Sequence, residues 1–278
     1  MIKFAKYHGL GNDYLVINPS DLIDDLTGAQ IETICHRNYG IGSDGILLGP
    51  LKSEICDFKL RIFNPDGGEA EKSGNGLRIF SRYLWDRGLV KNDPFTIETL
   101  GGNVTSRIHG NAASMTVDMG RVSFNSRDIP VKGDAREVLN ETIALGEQEL
   151  IFCAATIGNP HCVILRDEIS EDDARAWGPH IETDARFPNR INVQFMKVLD
   201  RANIQIEIWE RGAGYTLASG SSSSASAAVA HKLGLCDNAI TVHMPGGQLD
   251  IAIDDDFFVT MTGPVTKVAE GTLFEEMF

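Results

Sequence analysis

Two serines stand where the chain turns from a glycine-rich loop into a helical pattern, and a serine in that position can seat an anion or hand over a proton. Ser219-Gly220 follows the alternating run Ile206 to Trp209 and the turn Gly212-Ala213-Gly214. It precedes an Ala- and Ser-rich stretch with apolar residues at helical spacing. Serine is a natural N-cap, and the amides of Gly220, Ser221 and Ser222 would then point outward with no partner inside the helix. Outward amides and the positive end of the helix dipole together favour an anion. A single stretch of this kind is more often a plain capped helix after a hairpin. Here it occurs twice: Ser73-Gly74 opens a helical pattern ending near Leu89, just as Ser219-Gly220 opens one ending near Leu235.

Other landmarks recur in the same order at nearly one offset. Asn12 in GLGNDYLVI matches Asn159 in TIGNPHCVI, and Gly101 in TLGGNVTSRI matches Gly246 in MPGGQLDIAI. The pattern reads as a duplication, with one helix start per half that the other half can face. Glu210 and Arg211, on the strand before the second helix, add a partner for an ammonium group and a fork for a carboxylate. As a surface ion pair alone they would mean little. Asn12, Asn64, Asn159 and Asn192 follow turns and offer both donors and acceptors, although Asn also serves turns for purely conformational reasons. Taken together, these groups suit a zwitterionic, amino-acid-like ligand.

The elements that must position these residues are short. Strands are expected at 2–18 around a Gly-Leu-Gly turn, then at 46–48, 58–63, 95–99, 104–109 and 114–119. Helices are expected from Gly28 to Arg37 and after Ser73. Residues 121–147 are polar and read as an irregular join. The second half offers strands at 149–157, 162–165, one continuing from 187–193, 204–209, 239–243, 249–253, 257–262 and 265–269, with a Pro-bounded helix around 172–180. Many short strands with one or two helices per half give an α+β class rather than a doubly wound sheet. The glycines at 40, 42 and 45 lack dinucleotide-binding spacing.

Length and charge narrow the function. At 278 residues two domains of ordinary size are expected. A net charge of −14 with no Lys/Arg cluster argues against a nucleic-acid partner. No run reaches membrane-spanning length and no signal segment opens the chain, so a cytoplasmic protein without a membrane partner is expected. The five cysteines, at 35, 56, 153, 162 and 236, show no CxxC spacing and read as buried inert thiols rather than disulfides or a metal site. No lysine stands in a Schiff-base setting and no metal ligands cluster, so no cofactor is expected. Leu217-Ala218-Ser219-Gly220 lacks the nucleophile elbow of a serine hydrolase.

The segments KYHGLGNDYLVI, FNPDGGEAEKSGNGLR, TIGNPHCVI, RINVQF, WERGAGYTLASG and PGGQLDI, in this order over nearly the whole chain, resemble the diaminopimelate epimerase family of amino-acid racemases that work without pyridoxal phosphate. The resemblance implies two pseudo-symmetric domains, 1–119 plus 264–278 and 120–263, each a barrel-like, mostly antiparallel sheet around a central helix, with the ligand in the cleft between them. It implies epimerisation of diaminopimelate in lysine and cell-wall precursor biosynthesis by two-base proton transfer at the α-carbon, and is compatible with a homodimer. The family's two catalytic cysteines fall on Ser73 and Ser219. By position, Gly74, Asn75, Gly220 and Ser221 would bind the carboxylate at the reacting end. Asn12, Asn64, Asn159, Asn192 and Arg211 would orient the distal end, and Glu210 would meet an ammonium. A hydroxyl needs a neighbour to take its proton, and His161 is the candidate beside a matched motif. Three states fit the serine pair: replaced cysteines, a serine-pair relative with altered chemistry or substrate, and a protein that only binds an amino acid. Tyr215 and the run Ser221 to Ser224 are further departures that favour the second.

Overall fold

The computed structural model describes residues 1–146 and 148–278. They form two compact units, residues 1–118 with 262–278 and residues 119–261. The first unit contains β1 (Ile2–Gly9), β2 (Asn12–Ile17), α1 (Gly28–Cys35), β3 (Ile46–Leu51), β4 (Phe58–Phe63), β5 (Glu69–Ala70), α2 (Gly74–Asp86), β6 (Phe95–Thr99), β7 (Gly102–His109) and most of β8 (Ser114–Arg121). The second holds β9 (Glu141–Leu145), β10 (Gln148–Thr156), β11 (Pro160–Leu165), α3 (Glu171–Glu182), β12 (Asn192–Asp200), β13 (Asn203–Glu210), β14 (Gly214–Thr216), α4 (Gly220–Lys232), β15 (Ala239–Met244), β16 (Gly247–Ile253) and most of β17 (Phe258–Gly263). The chain then returns to the first unit as β18 (Thr266–Leu273).

Each unit repeats one series of strand pairings. In the first, β18 pairs antiparallel with β1, β1 with β2, β3 with β4 and β6 with β7, while β2/β3 and β4/β6 are parallel. In the second, β9/β10, β10/β11, β12/β13 and β15/β16 are antiparallel, while β11/β12 and β13/β15 are parallel. A parallel pair needs a long crossover. The helices supply it, α1 and α2 in one unit, α3 and α4 in the other. The class is α+β, with mostly antiparallel pairing in each unit.

The helices α2 and α4 match in length and in both ends. Each has 13 residues, a serine cap and a left-handed glycine at its end, Gly88 (φ 69°) and Gly234 (φ 72°). Leu89 N–H bonds to Leu84 O and Leu235 N–H to Ala230 O, both at 3.0 Å, which closes the same six-to-one motif twice. The leucines therefore lie two residues beyond the C-caps, and the helices end at Asp86 and Lys232 rather than near Leu89 and Leu235. Each packs against strands of its own unit, α2 on β1, β2, β3 and β7, α4 on β10 to β13, β15 and β16. The Ala- and Ser-rich composition of α4 lets strands approach it on nearly every side, and most of its residues are buried.

Some elements depart from expectation. The join contains a strand, β9, because Thr142 to Leu145 can pair with β10; Glu147 lies outside the described residues. The short strands β5 and β14 carry too few residues to show periodicity. α3 runs through Pro179 rather than stopping at it. Among the described residues no helix is long and apolar enough to cross a membrane.

α3 docks on β13 through a glycine. A Cβ on Gly178 would stand 2.4 Å from Trp209 Cγ and 2.6 Å from its Cβ, too close without moving the strand. Gly178→Ala is expected to destabilise the protein by about 1–3 kcal/mol, the usual range for overpacking, read as a lower denaturation midpoint. An unchanged midpoint would contradict this packing.

Candidate active site

In the first unit the site is assembled around the start of α2. Ser73 is its N-cap, with extended backbone (φ −140°, ψ 116°), and its hydroxyl accepts from Gly76 N–H at 3.0 Å. The amides of Gly74 and Asn75, the first two of the helix, stand outside its hydrogen-bond ladder. The Tyr14 hydroxyl lies 3.2 Å from Ser73 Oγ. Asn75 Nδ2 donates to Asn12 Oδ1 at 3.0 Å, and Asn12 Nδ2 donates to Asp44 Oδ2 at 2.8 Å. Asp44 also accepts from the Asp13 amide at 3.0 Å and pairs with Arg37, so the turn carrying Asn12 and Tyr14 is pinned. Burial alone would raise the Asp13 carboxyl, but hydrogen bonds from Arg37 and Lys6 outweigh it and hold its pKa below the ordinary value.

Behind the helix start sits Arg78, fully buried, with its guanidinium donating to Asn75 Oδ1. Burial lowers its pKa to about 10, which still leaves a cation at neutral pH. That charge adds to the dipole of α2 in favouring an anion at the amides. Desolvation likewise draws the ammonium of Lys72, next to Ser73, down to about 8, with Asp118 opposing. Asn64 follows β4 in an exposed turn, its backbone paired with Gly68 O at 2.8 Å.

The second unit repeats the plan with different partners. Ser219 caps α4 and is almost fully buried, and its hydroxyl donates to Glu210 Oε1 at 3.3 Å. Ser221 Oγ lies 3.4 Å from Ser219 Oγ and accepts from Asn159 Nδ2 at 3.2 Å. In each unit, then, an asparagine after a glycine turn reaches the second residue of the central helix. The Ser222 amide is held by Ser219 Oγ at 3.4 Å, so the outward amides are those of Gly220 and Ser221, one fewer than the sequence suggested. Asn192, expected on the ligand, bonds the backbone with both ends of its side chain: Nδ2 donates to Pro160 O at 2.8 Å, and Oδ1 accepts from Arg211 N–H at 2.9 Å. Arg211 is exposed, with its guanidinium donating to Asn189 O at 3.0 Å.

Glu182 was not apparent from the sequence. Buried on α3, it accepts from Trp209 Nε1 at 2.7 Å and from the Gly212 amide at 2.9 Å, and pairs with Arg190. It thereby fixes the turn that follows Glu210 and Arg211. In the serine run, Ser223 and Ser224 donate to the carbonyls of Ser219 and Gly220, both at 2.8 Å. Tyr215 donates to Glu207 at 2.7 Å and lies under the Arg175 guanidinium. The thiols of Cys35, Cys153, Cys162 and Cys236 are buried, and burial raises their pKa values; Cys56 is half-buried. Among the described residues no group of three or more His, Cys, Asp or Glu is placed to hold a metal.

His161 is fully buried, with Nε2 3.1 Å from Asn159 Oδ1. Burial pushes its pKa from 6.5 down to about 3, the nearby Arg211 charge adding and the Gln194 amide opposing. It is neutral at pH 7 and bonded toward Asn159, the partner of Ser221, rather than to Ser219. Because the folded value lies below the unfolded one, the unfolded chain binds more protons between the two. Stability is whole above about pH 6.5 and lost as the pH falls toward about 3, on the order of 1.4 kcal/mol per pH unit. Urea melts of His161→Asn from about pH 6.5 to about pH 4 should therefore show a shallower loss than the unaltered chain. Equal slopes would contradict a buried neutral imidazole.

The profile of the diaminopimelate epimerase family matches residues 4–125 and 153–268. Diaminopimelate epimerase 2 of Nostoc sp. is 68% identical over 277 residues, covering 100% of this chain and 97% of that protein. The diaminopimelate epimerase of Moorella thermoacetica is 38% identical over 276 residues, covering 97% and 98%. Among solved structures, a hydroxyproline epimerase from Agrobacterium vitis with bound trans-4-OH-L-proline superposes with a TM-score of 0.69 at 16% identity, over 97% of this chain and 90% of that one. A PhzF-family phenazine biosynthesis protein of Bacillus anthracis gives 0.66 at 15% identity, over 98% and 99%. The distant structures establish the fold, and the close sequences establish more: this chain belongs to the diaminopimelate epimerase family and is an isomerase of the epimerase type.

Proposed function

We propose that the chain epimerises LL-diaminopimelate to the meso form, with Ser73 and Ser219 serving opposite faces of one α-carbon. The observation that carries this reading is the repeated cap: in each unit a serine hydroxyl stands at a helix start, whose first two amides have no partner within the helix. The names of the similar proteins supply the substrate.

The steps use side chains and backbone amides. As the α-proton moves to Ser219 Oγ, the serine's own proton passes along its existing hydrogen bond to Glu210 Oε1. The electron pair left on carbon spreads into the substrate carboxylate. The amides of Gly74, Asn75, Gly220 and Ser221 stabilise the charge that develops there, where preorganised donors have their largest effect. Ser73 then delivers its hydroxyl proton to the opposite face. Asn12, Asn64, Asn159 and the Arg211 fork hold the distal end, which must be fixed because the two ends of the substrate are chemically alike. Asn192 shares that task and also places the Arg211 backbone.

The test is LL-diaminopimelate in deuterated water, followed by NMR. Slow epimerisation with α-deuteration is expected. Tight calorimetric binding without exchange in either isomer would refute catalysis and leave an amino-acid-binding protein. Exchange with a different amino acid alone would keep the chemistry and change the substrate.

A further inference from the structure

We infer that Tyr14 is the proton partner of Ser73, the positioning residue that lets a serine act as the acid on its face. This rests on the proposed role of Ser73. Tyr14 lies within β2 and is 7% exposed, and its hydroxyl is 3.2 Å from Ser73 Oγ. That is long for a hydroxyl pair, as expected before a ligand tightens the site. Either hydroxyl of this pair can donate, and the contact of Ser73 with Gly76 leaves room for the phenol to do so. Gly76 N–H already occupies one lone pair of the oxygen, which leaves one lone pair to receive the phenol and one O–H to point elsewhere. Tyr14 is held for this task. A Cβ on Gly45 would fall 2.7 Å from its ring, so the ring lies against bare backbone there, and the adjoining Asp13 is locked by Lys6 and Arg37.

The two caps are therefore chemically unlike. Ser219 leans on a carboxylate and Ser73 on a phenol. At neutral pH a carboxylate side chain is a base and a phenol an acid. When Ser73 gives its proton to the carbanion, the Tyr14 proton moves to Ser73 Oγ and a phenolate remains, while Glu210 holds the proton taken at the other face. Solvent water then removes the proton from Glu210 and returns one to Tyr14, and the cycle balances. In the LL-to-meso direction hydrogen is thus taken at Ser219 and given at Ser73, and the reverse direction runs the same transfers backwards.

The experiment compares Tyr14→Phe and Ser73→Ala with the unaltered chain, using epimerisation of LL-diaminopimelate across pH and the thermal midpoint of each protein. Phenylalanine keeps the ring, so the midpoint should change little. The expected result for Tyr14→Phe is a kcat lowered by about 10–100-fold, part of the usual range for acid–base assistance, with KM within about twofold. The alkaline limb of kcat/KM, which reports the phenol losing its proton, should shift or vanish. An unchanged rate and pH profile in Tyr14→Phe, with Ser73→Ala inactive, overturns the role of Tyr14 and leaves that of Ser73 intact. A lower rate with an unmoved alkaline limb also overturns it, since packing alone would explain that. Full activity in Ser73→Ala, or none in the unaltered chain, overturns this inference together with the reading it rests on.

Discussion

Ser73→Cys combined with Ser219→Cys raises kcat/KM for epimerisation by at least about 10²-fold, the lower end of what an effective acid–base pair contributes. A free thiol ionises near pH 8.5 and a helix start lowers that further, so a fraction of thiolate is present at neutral pH without help. A serine hydroxyl reaches the same state only through a partner. Both caps are also well placed for a thiolate: the helix dipoles favour an anion at each cap, and Arg78 adds a buried positive charge behind the first. Steady-state kinetics on the double variant checks this. A rate equal to or below that of the serine form would mean that the cap atoms do not handle the proton.

Glu210→Gln is expected to lower kcat by about 10²–10³-fold with little change in KM, because the amide keeps the shape of the carboxylate but cannot take the Ser219 proton. The same substitution in the double cysteine protein should have a much smaller effect, since a thiolate at Ser219 no longer needs a neighbour to become a base. Comparing the two backgrounds measures the coupling directly. If Glu210 instead bound the substrate ammonium, the role first expected for it, KM would rise in both backgrounds alike.

What the sequence disclosed was local. A serine before a glycine, a leucine two residues past a helix end and a glycine pair between alternating runs each act over a few residues, so both central helices and most strands could be read in order. The contacts that define the chemistry are not local. Tyr14 meets Ser73 across much of the first unit, and Glu182 reaches the Gly212 amide from the end of α3. One of these left a signal: in a strand, residues two apart share a face, so Tyr14 lies on the side of β2 that carries Asn12. Asp44 and Glu182 left none, because nothing in the pattern says which turn a carboxylate will pin. Nor did the serine run show its local use, in which a buried helix serine satisfies itself on a carbonyl one turn back. The backbone contacts of the Asn192 amide, to Pro160 O and Arg211 N–H, were equally invisible in the sequence.

The most direct measurement is deuterium wash-in with the single variants Ser73→Ala and Ser219→Ala, offered LL- and meso-diaminopimelate separately. If the two hydroxyls serve opposite faces, each variant exchanges the α-hydrogen of one configuration only, with retention, and the two variants choose opposite configurations. Loss of the same configuration in both variants, or exchange of both configurations in either, would contradict the account.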